Sequence, residues 1–253
     1  MFDKQLKLLK EAYEIEESIN DSNLFKAVIL AGGPGSGKSF IAKKALGQFQ
    51  PRIINSDDFF EFGLHKAGLP MKVDPEKQEI YSQQMDVRDR GKKSAKNRFT
   101  NWINGMLPII IDGTGKDTAK VGTQKEALEK IGYDVYMMVV LADVEVALKR
   151  NAKRERSVPD KIVIAGNKAV RENLPAFEQM FGSDRIHVVD NSKTLGREEL
   201  AELSANLDKV GKQWFGSPVQ NPKGQEIMQT LESTGGKYLD DLYIDWRTGV
   251  PKV

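Results

Sequence analysis

The sequence has no cysteine, which excludes disulfides and thiolate-bound zinc and permits a reducing compartment. Its two histidines, His65 and His187, are isolated and share no metal-ligand spacing. No apolar run nears the roughly 18 residues that would suggest a membrane helix. A surplus of one charge is also missing. The 38 basic side chains face 36 acidic ones, a net of +2, so charge alone does not mark a nucleic-acid binder. The opening stretch, MFDKQLKLLKEAYEIEESIND, interleaves charged and apolar positions and lacks the apolar centre of a secretion signal. The expectation is a cytoplasmic protein that meets no membrane.

What is present suits one sizeable domain: 253 residues, 40% hydrophobic and 29% charged. Residues 2 to 18 have the spacing of an amphipathic helix, expected to pack on the main domain. Short apolar runs then alternate with helical patterns. Strands are expected at 25–31, 52–55, 107–112, 133–141 and 185–189. Helices are expected from 37 through 46, over 75–104 with a break possible at Gly91, over 117–131, from 144, over 161–181 and over 197–211. Strands that read as continuous apolar runs between helices imply a buried parallel sheet. The predicted fold class is α/β, a sandwich of three α/β/α layers whose five-stranded sheet is expected to be mostly parallel. Residues 1–212 are expected to form the domain. Residues 213–253, rich in glycine and proline with aromatics at Tyr238, Tyr243 and Trp246, are expected to form a C-terminal extension.

The strongest local signal is Gly32-Gly33-Pro34-Gly35-Ser36-Gly37-Lys38-Ser39, a complete G-x-x-x-x-G-K-S pattern between a strand and a helix. Glycines let backbone N–H groups turn inward on phosphates, and the helix N-terminus faces the anion. Lys38 would reach the β- and γ-phosphates and Ser39 would ligate magnesium. With Phe40 beside them, these residues are the expected site for ATP, or GTP, with Mg2+.

Three further groups fall at expected strand ends, where ligands of parallel sheets bind. Asp57 and Asp58 follow the second strand. Asp57 is chosen as the base for an attacking hydroxyl, and Asp58 is left to the substrate or to capping the next helix. Asp112, ending the third strand, could hold the magnesium shell or touch the acceptor, and Thr114 could hydrogen-bond substrate. Arg150 and Arg154 are four apart and would share a helix face, where two guanidiniums can grip a triphosphate. Arg156 is a third candidate.

Together these residues resemble P-loop kinases of the 5′-polynucleotide kinase and zeta-toxin group. The carrying stretches are Gly33-Pro34-Gly35-Ser36-Gly37-Lys38-Ser39, Asn55-Ser56-Asp57-Asp58-Phe59, and Lys149-Arg150-Asn151-Ala152-Lys153-Arg154 with Val158-Pro159. The resemblance implies that Asp57 is the base and that Arg150 and Arg154 are lid arginines. Asp112-Gly113-Thr114 is similar to the acid-Gly-Thr element of zeta toxins, which phosphorylate a nucleotide-sugar. Both relatives carry an acceptor-binding arginine that this chain replaces, by Phe59, Phe60 and Glu61 in one place and by Gly115 and Lys116 in the other.

Three functions are compatible with this pattern. The first is phosphoryl transfer from ATP to a hydroxyl of a nucleic acid, nucleotide or nucleotide-sugar. The second is a nucleotide-hydrolysing or nucleotide-sensing ATPase that binds a partner protein. The third is a degenerate kinase fold with an interaction role, against which intact Lys38 and Ser39 speak. Arg88, Arg90, Lys92, Lys93, Lys96 and Arg98, with Trp102 nearby, form either a solvated helix face or a nucleic-acid groove.

Overall fold

The computed structural model describes residues 23–74, 76–154, 156–193, 195–234, 244–245 and 250–251. The expected N-terminal helix and the aromatics Tyr238, Tyr243 and Trp246 lie outside the described residues.

Five strands form one sheet: β1 (Lys26–Ala31), β2 (Arg52–Ile54), β3 (Ile109–Asp112), β4 (Asp134–Leu141) and β5 (Ile186–Asp190). Their order is β2-β3-β1-β4-β5, and every neighbouring pair is parallel. Eight α-helices surround it among the described residues: α1 (Lys38–Leu46), α2 (Ser56–Lys66), α3 (Gln78–Asn104), α4 (Thr118–Lys130), α5 (Val144–Ala152), α6 (Asp160–Phe181), α7 (Arg197–Phe215) and α8 (Pro222–Thr234). Ile244–Asp245 and Val250–Pro251 pair as a short antiparallel ribbon.

Alternation along β1 explains the layers. Ala27, Ile29 and Ala31 point to one face and meet Val121, Leu128, Val170 and Phe177 of α4 and α6. Val28 and Leu30 point to the other and meet Ile41, Leu46, Leu207 and Trp214 of α1 and α7. Both faces of β1, β3 and β4 are thus nearly dry, which is why these strands read as apolar runs, whereas the edge strands β2 and β5 are partly exposed. The Tyr136 and Trp214 rings stack at 4.9 Å, closing the second layer.

The structure corrects several boundaries. Helix α3 passes through Gly91 without a break. The glycine is a point of close approach, because a Cβ there would stand 3.3 Å from Phe59 Cβ and from the Phe60 backbone nitrogen of α2. Helix α7 continues past 211 to Phe215, which is fully buried. Helix α8 was not read from the sequence, yet its Ile227 and Leu231 enter the same core as β1.

At the amino ends of β1 and β4, Lys26 and Asp134 form an ion pair of 2.7 Å with no side-chain exposure. Lys26 also donates to the Pro218 carbonyl at 3.0 Å, and Asp134 accepts from the backbone N–H groups of Gln220 and Asn221, each at 2.8 Å. Burial holds the Lys26 ammonium below the usual lysine range, opposed by its bond to Asp134. Removing one partner strands a charge in the interior. Asp134→Ala should therefore cost about 3–5 kcal/mol, read as a lower urea midpoint. A paired Lys26→Met, Asp134→Leu change should cost clearly less than either single change.

Candidate active site

The carboxyl ends of β1, β3 and β2 lie side by side, and the site is built from the segment that leaves each strand. After β1 the chain makes the glycine-rich loop. Gly35 and Gly37 have φ of +78° and +90°, backbone shapes that side chains resist. A Cβ at Gly35 would run into the Ala147 carbonyl of α5, so space and torsion make the same demand. Two asparagines hold this loop from outside. Asn191 Nδ2 donates to the Ser36 carbonyl at 2.7 Å, and Asn167 Nδ2 donates to that of Pro34 at 3.1 Å. With the Pro34 and Ser36 carbonyls tied outward and the Ser36 N–H closing a turn on the Gly33 carbonyl at 3.1 Å, N–H groups further along the loop can serve an anion.

Lys38 opens α1 and its ammonium donates to the Gly32 carbonyl at 2.8 Å. It stands 3.9 Å from Asp112 Oδ1. Burial lowers the Lys38 pKa against the pull of Asp112, and burial raises that of Asp112 against the pull of Lys38. Asp112 Oδ2 accepts from Asn55 Nδ2 at 3.2 Å, whereas Oδ1 is buried and accepts no hydrogen bond. A buried carboxylate oxygen that accepts no hydrogen bond and has only the more distant Lys38 ammonium for company suits a hydrated cation. Phe40, 45% exposed, walls a cavity of 560 Å³ with Lys149, Arg150 and Asn191.

After β2, Asn55 rather than Asp58 caps the helix. Its Oδ1 accepts from the Asp57 N–H at 2.9 Å and its Nδ2 donates to Asp58 Oδ1 at 3.1 Å. Burial, with Glu61 adding repulsion, raises the Asp58 pKa. Asp57 is half-exposed, and its Oδ2 lies 3.0 Å from an Arg156 guanidinium nitrogen.

The arginines are arranged differently from the expectation. Helix α5 ends at Ala152, so Arg154 sits in the following loop and shares no helix face with Arg150. Asn151 stops the helix by pairing with both backbone groups of Val158, at 2.8 and 3.1 Å. Arg150 donates to the Asn191 carbonyl at 2.9 Å, next to Gly37. Arg154 is exposed, and its charge is felt at Lys38 and Asp112. Arg156 turns to Asp57 and Glu61.

A second cavity, of 840 Å³, opens beside Asp112 between α3 and α4. Thr114, Lys96, Lys116 and Lys120 line it with Phe99 and Ser56. The Thr114 carbonyl accepts from the Gly32 N–H at 3.3 Å, tying this wall to the glycine loop.

The zeta toxin family profile matches residues 12–196, most of the chain. The chain belongs to the zeta toxin family. It is a P-loop kinase, a phosphotransferase by family. Among solved structures, a candidate kinase from Chloroflexus aurantiacus is similar at 14% identity and a TM-score of 0.51, over 74% of this chain and 97% of that one. A structure from the PezAT toxin–antitoxin system of Streptococcus pneumoniae is similar at 16% identity and a TM-score of 0.50, over 91% of this chain and 94% of that one. These likenesses are of fold. No curated protein matches the sequence. No described helix is long and apolar enough to cross a membrane.

Sequence reasoning on this family member missed Asn167, Asn191 and the lysine-lined cavity. Asn191 comes directly after the end of β5, so the strand-end rule that found Asp57 and Asp112 could have found it. Asn167 lies mid-helix and carries no such signal. Replacing Asn191 by Leu should weaken ATP binding by about tenfold, the value of one well-placed hydrogen bond to a buried carbonyl. Titration calorimetry with a non-hydrolysable ATP analogue measures this, with the unfolding midpoint as control.

Proposed function

We propose that the chain transfers the γ-phosphoryl group of ATP to a hydroxyl of a small anionic acceptor, a nucleotide or nucleotide-sugar. The observation carrying this reading is the 840 Å³ cavity next to Asp112. It has the size of a small-molecule pocket, with lysines for acceptor phosphates and Phe99 for an apolar or aromatic part. Its wall reaches Ser56, the neighbour of Asp57.

The loop from Gly32 to Ser39 would cradle the triphosphate, with the nucleoside directed to the cavity beside Phe40. Ser39 and Asp112 would hold magnesium, whose bound charge draws electron density from the transferring group. Lys38 would exchange its Gly32 contact for phosphate oxygens. Asp57 accepts the proton as the acceptor oxygen bonds to the γ-phosphorus. The bond from that phosphorus to the bridging oxygen breaks, and ADP leaves. Arg150 and Arg154 would neutralise charge on the departing side. Asp58 and Thr114 would orient the acceptor.

A nucleic-acid end is the weaker acceptor. Within the basic run of α3, Lys92 pairs with Asp89 at 2.9 Å and Arg98 lies over the Phe59 ring at 4.9 Å, so part of it is engaged locally.

Transfer of labelled γ-phosphate should be strongest with nucleoside monophosphates or UDP-sugars. Transfer to 5′-hydroxyl oligonucleotides alone would reverse the acceptor choice, and release of free phosphate alone would favour the hydrolase. Lys38→Ala should abolish transfer. Asp57→Asn should lower kcat about 100-fold or more with ATP affinity nearly unchanged. A larger loss in Asp58→Asn would transfer the base role to Asp58.

A further inference from the structure

The lid loop and the helix bearing Asp57 are joined across the cleft by one side chain. Arg156 comes from the loop between α5 and α6 and is only 15% exposed. Its guanidinium reaches Asp57 Oδ2 at 3.0 Å and Glu61 Oε1 at 2.7 Å, and it lies over the Phe60 ring at 5.5 Å. Asp57 and Glu61 are one helical turn apart on α2, so a single planar fork can hold both. The loop is braced at its base, where Asn151 holds Val158 by both backbone groups. This bracing limits where residue 156 can go. Glu61 also fills a position where the resemblance to polynucleotide kinases calls for an acceptor arginine. Here that position serves the lid.

We infer that Arg156 is a positioning residue: it docks the lid on α2 and fixes the carboxylate of Asp57, leaving Oδ1 free to take the acceptor's proton. A base held by one oxygen keeps a single orientation toward the incoming hydroxyl, and misplacement of a reacting group by about 1 Å can cost about 100-fold in rate. The lid thereby reports on the base. Were the loop to leave α2, Asp57 would lose this hold, so phosphoryl transfer depends on the docked loop. The inference rests on the phosphotransfer reading for the identity of the base.

The test has two arms. The first needs no acceptor. In calorimetry with an ATP analogue, Arg156→Ala should bind within about twofold of the unaltered chain, whereas a loss of tenfold or more would make Arg156 a triphosphate ligand and overturn the inference. The second is single-turnover transfer. Arg156→Ala should lose at least tenfold, with Arg156→Lys recovering part, since one ammonium cannot fork across two carboxylates. Glu61→Gln should lose less, in the same direction. In an Asp57→Asn background Arg156→Ala should cost nothing more, because its effect runs through that carboxylate. Additive losses, unchanged transfer or faster transfer in Arg156→Ala would each overturn it. If no acceptor is phosphorylated even by the unaltered chain, the acceptor assignment fails separately. The same variants are then ranked by ATP hydrolysis, where the same non-additivity is required.

Discussion

The site depends on the register between β1 and β3, which sets Leu30 opposite Asp112. Parallel pairing makes both strands end at the same edge, so the glycine loop and the acid emerge as neighbours. A slip of one residue would turn Asp112 into a helix layer and bring an isoleucine to the phosphates. Register is held by burial on both faces: every β1 residue is buried, and so are Ile109, Ile110 and Ile111. The chemistry of the loop is thus secured by side chains that never touch a ligand.

Around that edge, polar residues work in pairs that span elements. Asn55 links the start of α2 to Asp112, and Asn191 links the end of β5 to the glycine loop. Arg150 then holds the Asn191 carbonyl, connecting α5 to the same loop. Through the Gly32 N–H bond to Thr114, the cradle, the acid and α5 are joined in one frame. Lys38, Asp112 and Asp58 sit in it with pKa values moved by burial, as charged groups awaiting a charged ligand are expected to do.

The sheet and the cradle were legible because both are local. Beyond the paired Lys26 and Asp134 at their starts, the buried central strands are apolar, and glycine suits the loop's torsions, so Val28 and Gly35 announce themselves. The placement of Asp57 and Asp112 at the carboxyl edge of the sheet was legible by one further rule, the strand end. What stayed hidden has a different origin. Arg156 meets Glu61 across 95 positions of chain, and composition carries no trace of that meeting. A break at Gly91 was only possible from the sequence, because the glycine's partner in α2 is invisible there. Helix α8 was obscured by its glycine at 224, which a Gly132 contact requires. The expectation that Arg150 and Arg154 share a face failed because Asn151 ends the helix two residues before Arg154.

The buried lysine–aspartate pair at the far end of the sheet has a bearing on how this chain matures. Asp134 gains two of its donors from residues 220 and 221, and Lys26 gains an acceptor from residue 218. During synthesis, β1 and β4 leave the ribosome well before those partners do. The pair that joins the central strands therefore gains its full set of protein partners only once the segment leading into α8 has emerged and docked.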